Sequence, residues 1–364
     1  MYERFKRKVC YKIRQTKNKL IDDRLFLIIT YCNSEKAEGA KKAYTLRKDF
    51  KVKSVEKLNI PKNIETNNDI NYKKILDKKF SEDILLFVDI MLKNFKEQDL
   101  KCLKNNINEL NIDVLDIEVL GLYDVFKNII LLKKGSIYSS IFHELMHLSS
   151  SYIKNDTVYC GFSQKSYDLD NLISIGKGLN EGYTQYLTER YFNDQKIPHS
   201  YALHRYFAEK LEYIIGKEKM QKLYLNANLL GLIHEMTKYT NISEVEQFIS
   251  SLDFLIEHPL ESNMNKYQRE FMNEIIKKAS LFLIKCYIVR LKRALDKKII
   301  DYDTFIKYIN SYINDTIIYI EYKNCKDKVY NKKDIIKVLK EINLLDLKQY
   351  INDENNQFTL TLKK

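Results

Sequence analysis

The sequence predicts an α+β protein: a small N-terminal β-sheet packs on one buried helix, and the second half is mostly helical. Three observations predict it. Three prolines and nine glycines interrupt 364 residues, so long helices are the default where apolar spacing allows them. Between about residues 111 and 134 the apolar pattern shortens to strand-length runs, with Gly121 and Gly135 as punctuation. Beyond Pro198 the apolar residues return to helical spacing.

Taken in order, residues 1 to about 20 read as a basic helix, and Leu25 to Tyr31 reads as a strand. Residues 33–75 are polar and rich in Lys and Asn, with Pro61 among them, and predict irregular or loose helical structure. Ser81 is a candidate N-cap for a helix to residue 95, whose stripe is Ile84, Leu85, Val88, Met91 and Leu92. Ile112–Leu115 and Asn128–Leu132 are the two strand candidates. Gly135-Ser136 then opens a helix, with Ser136 as N-cap. Ile141, Leu145 and Leu148 lie on one face of that helix and Phe142 and Met146 on another, which predicts burial on more than one side.

A hairpin-like stretch follows at 157–162 and 172–176, then a second helix from near Leu179 to about Phe192. A helix is also expected over about 264–297, with Phe271, Ile275, Phe282, Cys286 and Val289 as its stripe. The chain is expected to divide into a basic N-terminal segment (1–75), a core (76–260) and a helical C-terminal region (261–364).

Composition narrows the class. Apolar residues are 45% and charged residues 30% of the chain, the balance of a globular protein. Net charge is +12, and Arg4, Lys6, Arg7, Lys8, Lys12, Arg14, Lys17 and Lys19 face only Glu3 in the first twenty residues. The positive charge is spread along the chain, and no tract interleaves bases with stacking aromatics, which argues against a nucleic-acid partner. Cys10, Cys32, Cys102, Cys160, Cys286 and Cys325 are far apart with no CxxC, as expected of reduced thiols in a cytoplasmic protein. Neither a signal-peptide h-region nor an apolar run long enough for a membrane span is recognised.

One constellation carries chemistry. Ile141-Phe142-His143-Glu144-Leu145-Met146-His147 contains His-Glu-x-x-His on an expected helix. Residues four apart share a helix face, so both imidazoles can reach one ion, while Glu144 points into the same cleft along a different line. Two histidines and a glutamate are costly to bury on an apolar helix without partners, and a metal supplies them. Downstream lies Leu179-Asn180-Glu181-Gly182-Tyr183.

The two segments together resemble the gluzincin clan of zinc peptidases, which includes thermolysin-like and aminopeptidase N-like enzymes, over roughly residues 120–192. The resemblance implies a zincin-like fold, Zn2+ as cofactor, Glu181 as the third ligand beside His143 and His147, and Asn180 shaping the turn into its helix. It implies zinc-dependent hydrolysis of a peptide or protein substrate by a metal-activated water, with Glu144 as general base. Where thermolysin-like enzymes carry a Ser-Asp pair after the ligand, this chain has Thr184 and Gln185. The Gln185 amide oxygen can still accept an imidazole N–H. Clan members stabilise the oxyanion with a Tyr or His from the helical lobe, and Tyr201, His204, His234 and Tyr239 are the candidates. An edge strand ahead of the metal helix pairs with substrate in zincins, and Asn128–Leu132 stands in that position, where it reads equally as an ordinary core strand. The rival expectations are a catalytically silent binding protein on the same fold, using the basic N-terminal segment for interaction, and a purely structural metal. Structural zinc is usually closed by four Cys or His ligands, and neither motif contains a cysteine.

Overall fold

The computed structural model describes residues 78–115, 117, 119–134, 137–168, 171–192, 201–260, 264–316, 319–322, 325–350 and 359–361. The expected basic helix, the strand near 25–31 and the Ser136 cap lie outside them. The described chain is α+β, as predicted.

Helix α1 (Lys78–Asn94) starts three residues before the expected Ser81 cap. It buries Ile84, Phe87, Val88 and Met91, while Leu85 and Leu92 of the expected stripe face solvent. The short helix α2 (Lys101–Ile107) leads into a three-stranded sheet of β1 (Asn111–Leu115), β2 (Gly121–Asp124) and β3 (Ile129–Lys133). The strand order is β1-β3-β2, with β1 parallel and β2 antiparallel to β3. Of the two readings open for Asn128–Leu132, an edge strand or an ordinary core strand, the structure shows the second: β3 is the centre of the sheet. Its edges are β1 and β2, the latter a strand of four residues that sequence pattern does not register.

Ile130 and Leu132 of β3 point to one face of the pleat and are fully buried. That face meets helix α3 (Ile137–Leu148). Every residue from Ser140 to Ser150 is buried, in line with the expected interior helix. Its end is set by two serines and an asparagine. Ser149 Oγ and Ser150 Oγ donate to Met146 O at 2.8 and 3.1 Å, and Asn106 Nδ2 reaches Leu148 O at 2.9 Å. Carbonyls with no intrahelical partner thus find donors.

A four-stranded antiparallel meander follows: β4 (Ser151–Lys154), β5 (Thr157–Cys160), β6 (Ser163–Asp168) and β7 (Asn171–Ile175). Helix α4 (Lys177–Phe192) then packs against α3. The Phe192 ring stacks on Phe142 of α3 at 4.7 Å and on Phe87 of α1 at 5.2 Å, tying three helices together.

The rest is helical: α5 (Ala202–Ile215), α6 (Lys217–Leu225), α7 (Leu229–Thr237), α8 (Ile242–Glu257), α9 (Lys266–Asp296), α10 (Tyr302–Asn314) and α11 (Lys332–Glu341). Asn265 opens α9 with a capping box closed by Gln268. A small sheet of β8 (Tyr319–Tyr322), β9 (Cys325–Lys328) and β10 (Thr359–Thr361) interrupts the expected all-helical end. One continuous apolar cluster runs from Ile84 to Leu347. Among the described residues no helix is long and apolar enough to cross a membrane.

Candidate metal centre

Two adjacent helices supply the donors. His143 and His147 lie one turn apart on α3, and Glu181 lies in the second turn of α4. Their donor atoms form a triangle: His143 Nε2 to His147 Nε2 is 3.1 Å, His143 Nε2 to Glu181 Oε2 is 3.2 Å, and His147 Nε2 to Glu181 Oε2 is 3.4 Å. A tetrahedral ion with ligands at about 2.0–2.1 Å has ligand–ligand edges of roughly 3.3–3.4 Å. The three atoms therefore already approximate one face of such a tetrahedron. Two Nε2 atoms facing each other can share at most one proton between them, whereas a cation satisfies both lone pairs and the carboxylate together. The residues fit a metal ion on this ground. Among the described residues no fourth His, Cys, Asp or Glu joins the group.

The Nδ1 atoms face away from the triangle, and each meets a different environment. His143 Nδ1 is 3.1 Å from Gln185 Oε1. Gln185 Nε2 donates to Glu189 Oε1 at 2.9 Å, which fixes the amide with its oxygen toward the histidine. Arg205 in turn binds Glu189, so a charged pair holds the amide in place. The expected acceptor role of Gln185 is met. His147 Nδ1 lies within 3.5 Å of both Cys160 Sγ and Thr184 Oγ1, the acceptors open to an N–H there. No local signature marks Cys160, because β5 brings it in from outside both motifs.

Asn180 differs from expectation. Its Oδ1 accepts from Phe162 N at 3.0 Å and its Nδ2 donates to Cys160 Sγ at 3.9 Å, so it braces the β5–β6 turn beside His147. The turn into α4 is held by Asp253 of α8, whose carboxylate accepts from Gly176 N and Gly178 N at 2.8 Å each. That contact spans more than seventy residues and had no local signature. Gly182 lets α4 approach α5: a Cβ there would fall 2.3 Å from His204 O.

The charges are mutually set. Burial opposes ionisation of Glu181, but His147 and His143 outweigh it and hold the carboxyl well below its ordinary range. Burial likewise opposes charging His147, but the Glu181 carboxylate and Cys160 raise it well above its ordinary value. Glu144 stands outside the donor triangle. Burial pushes its pKa up, partly offset by the two histidines and by the Tyr123 backbone N–H that it accepts. Gly121 of β2 lies directly over it, where a Cβ would come within 2.9 Å of Glu144 Oε1.

Of the four Tyr and His candidates, Tyr201 alone lines this cleft. Its ring stacks over His143 at 5.8 Å, its hydroxyl bonds Glu181, and burial together with Glu181 and Glu144 raises its pKa. It sits at φ 57°, left-handed backbone that aims the ring inward at the head of α5. His204 is buried elsewhere against Leu252 O at 3.1 Å, with its pKa pushed down to about 4 by burial. His234 is exposed, and Tyr239 packs under Arg293.

The cleft has a volume of about 440 Å³. The edge strand β2 and the segment before it line one side, α3 forms the floor with its two histidines and Glu144, and β5, β6, α4 and Tyr201 complete the lining. No family model, no curated protein and no solved structure matches the chain.

Proposed function

We propose that the chain is a zinc metallopeptidase of the gluzincin type on a zincin-like fold, with His143, His147 and Glu181 as ligands and Glu144 as general base. The observation that carries this reading is the donor triangle with 3.1–3.4 Å edges, drawn from two helices, with a glutamate outside it on the same cleft. Two imidazoles and one carboxylate, with a position left open, are the donor set and coordination that suit Zn2+ in a hydrolytic site. Zn2+ held there would supply Lewis acidity and lower the pKa of a water towards about 7.

The chain's own residues supply the rest. Glu144 accepts the proton of the attacking water and returns it to the leaving amine, a cycle that a buried carboxyl with a raised pKa favours. The Tyr123 backbone N–H keeps that carboxylate turned toward β2. Tyr201 keeps its proton because its pKa is raised, and its hydroxyl donates to the developing oxyanion. The outer edge of β2, with no further strand beside it among the described residues, suits an extended peptide added through backbone hydrogen bonds. Gln185, Thr184 and Cys160 orient the histidines.

Elemental analysis of wild type and Glu181→Ala, paired with cleavage of a mixed peptide library by wild type and Glu144→Gln, tests the reading. The expected result is one zinc per chain, lost with Glu181, and cleavage abolished in Glu144→Gln with zinc retained. Stoichiometric zinc without cleavage would instead support a silent binding protein. Absence of zinc would overturn the metal centre itself.

A further inference from the structure

The cleft is chemically two-sided. Val119, Leu120, Leu122 and Val125 line it from β2 and its flanks, and Val119 and Leu122 are exposed there. Val158, Cys160, Ser163 and Lys165 line it from the second sheet. These four share one face, because Val158 pairs with Lys165 and Cys160 with Ser163 across β5 and β6. Lys177, the first residue of α4, is also part of the lining. It lies four residues before Glu181, on the same face of the helix as that ligand.

Both lysines are half-buried, and neither pairs with a carboxylate among the described residues. Other half-buried lysines do find carboxylates: Lys285 reaches both Glu244 and Glu341, and Lys104 reaches Glu97. A lysine whose stem is packed keeps its ammonium head available to whatever enters the cleft. The only acids lining the cleft are Glu144 and Glu181, one turned under Gly121 and the other engaged by the two histidines. Two lysines balance those two carboxylates, so a bound divalent ion leaves the cleft cationic by its own two charges.

We infer that Lys165 and Lys177 form a carboxylate-binding subsite, which takes an acidic side chain or the C-terminal carboxylate of a bound peptide beside the apolar strip of Val119, Leu122 and Val125. This rests on the metallopeptidase reading for the nature of the ligand. A carboxylate held by one or both ammonium groups gains charge-assisted hydrogen bonds that a neutral amide of the same shape lacks. The subsite also bears on the mode of cleavage. An acidic side chain recognised there is compatible with cutting inside a chain, whereas capture of the terminal carboxylate confines cutting to its end.

The test is calorimetric binding to zinc-loaded Glu144→Gln protein. The probes are alanine-and-leucine hexapeptides carrying Glu or Gln at each position in turn, every one made both as free acid and as C-terminal amide. Carboxylate peptides should bind about tenfold tighter than their neutral counterparts. That ratio should collapse toward one when Lys165→Gln and Lys177→Gln are added. A preference confined to the Glu/Gln pairs identifies an acidic side chain, and one confined to the acid/amide pairs identifies the terminus; both support the subsite. Equal affinities throughout, no binding of any peptide, or a preference that survives the lysine substitutions overturns it. Circular dichroism and zinc content check the double variant, and Lys177→Gln alone carries the comparison if that variant is altered. Cleavage of the same peptides by wild type is scored separately. Carboxylate preference without cleavage keeps the subsite and removes the peptidase, and cleavage without preference does the reverse.

Discussion

Replacing Gln185 with leucine isolates the cost of orienting one metal ligand. Gln185 is buried, and leucine has nearly its volume, so the packing of α4 on α3 survives. What is lost is the acceptor 3.1 Å from His143 Nδ1, and with it the bond to Glu189, whose loss weighs on the metal-free and metal-bound states alike. A cation on Nε2 forces the imidazole proton onto Nδ1, where the variant offers no partner. Without a cation the ring can move its proton to Nε2 and donate to Glu181 Oε2, 3.2 Å away. The penalty therefore falls on the metal-bound state alone. A buried donor left unsatisfied costs about 1–3 kcal/mol, which weakens metal binding roughly fivefold to 150-fold. That range overlaps the roughly 10–100-fold known for lost partners of ligating histidines. Competition for Zn2+ against a chromogenic chelator at fixed pH measures it, with circular dichroism as the control for folding. An affinity within twofold of wild type would refute the reasoning, since His143 would then need no acceptor.

Four further outcomes follow from the same structure. Glu246 is fully buried on α8, neither of its carboxylate oxygens has a hydrogen-bond partner, and burial lifts its pKa from 4.5 to about 8. A carboxyl with a raised folded-state pKa contributes stability below pH 4.5 that is lost as pH rises through about 8. Urea titrations should show Glu246→Gln gaining roughly 3 kcal/mol on wild type between pH 4 and pH 7, and a pH-independent difference would contradict the assignment. Asp253→Ala removes both bonds that hold the start of α4 and should lower stability by about 2 kcal/mol in the same assay. Gly121→Ala puts a methyl 2.9 Å from Glu144 Oε1; peptide cleavage should fall roughly tenfold or more with zinc content unchanged, and full activity would dissociate Glu144 from the chemistry. Tyr201→Phe should lower kcat by roughly 100-fold with little change in KM, whereas an effect on KM alone would make Tyr201 a binding residue.

The site was legible where its geometry is local. His143, Glu144 and His147 follow from the helical repeat, and Gln185 follows from lying one turn beyond Glu181. The elements that close the site were not legible, because distant parts of the chain supply them. Strand β2 is four residues containing a glycine and an aspartate, with Leu122 exposed and only Tyr123 buried. Such a segment has no period to read until β3 pairs with it. The more apolar β3 pairs on both sides, and its Ile-Ile-Leu-Leu run, buried on one face and half-buried on the other, is compatible with either an edge or a core strand until β2 is placed. The start of α1 was set too late because nothing in Lys78-Lys79-Phe80 stops a helix from extending upstream of Ser81. At the other end, β8 pairs with β10 across nearly forty residues, out of reach of any local window.

The division of labour between the two helices explains why the polar residues can sit so deep. Helix α3 is buried along its whole described side-chain run, so each imidazole needs a partner on both nitrogens. Helix α4 meets most of that demand from one face: Glu181 serves both Nε2 atoms, Gln185 serves one Nδ1, and Thr184 serves the other. These three residues fall within four consecutive positions plus one, a spacing that a helix delivers toward a single neighbour. Glu144 gets nothing from α4 and is held instead by the backbone of β2. The carboxylate that would hold a cation and the carboxylate that would move the proton are thus anchored to different elements. A substitution in β2 can disturb the second without touching the first, which is the separation that the Gly121 and Gln185 variants are chosen to expose.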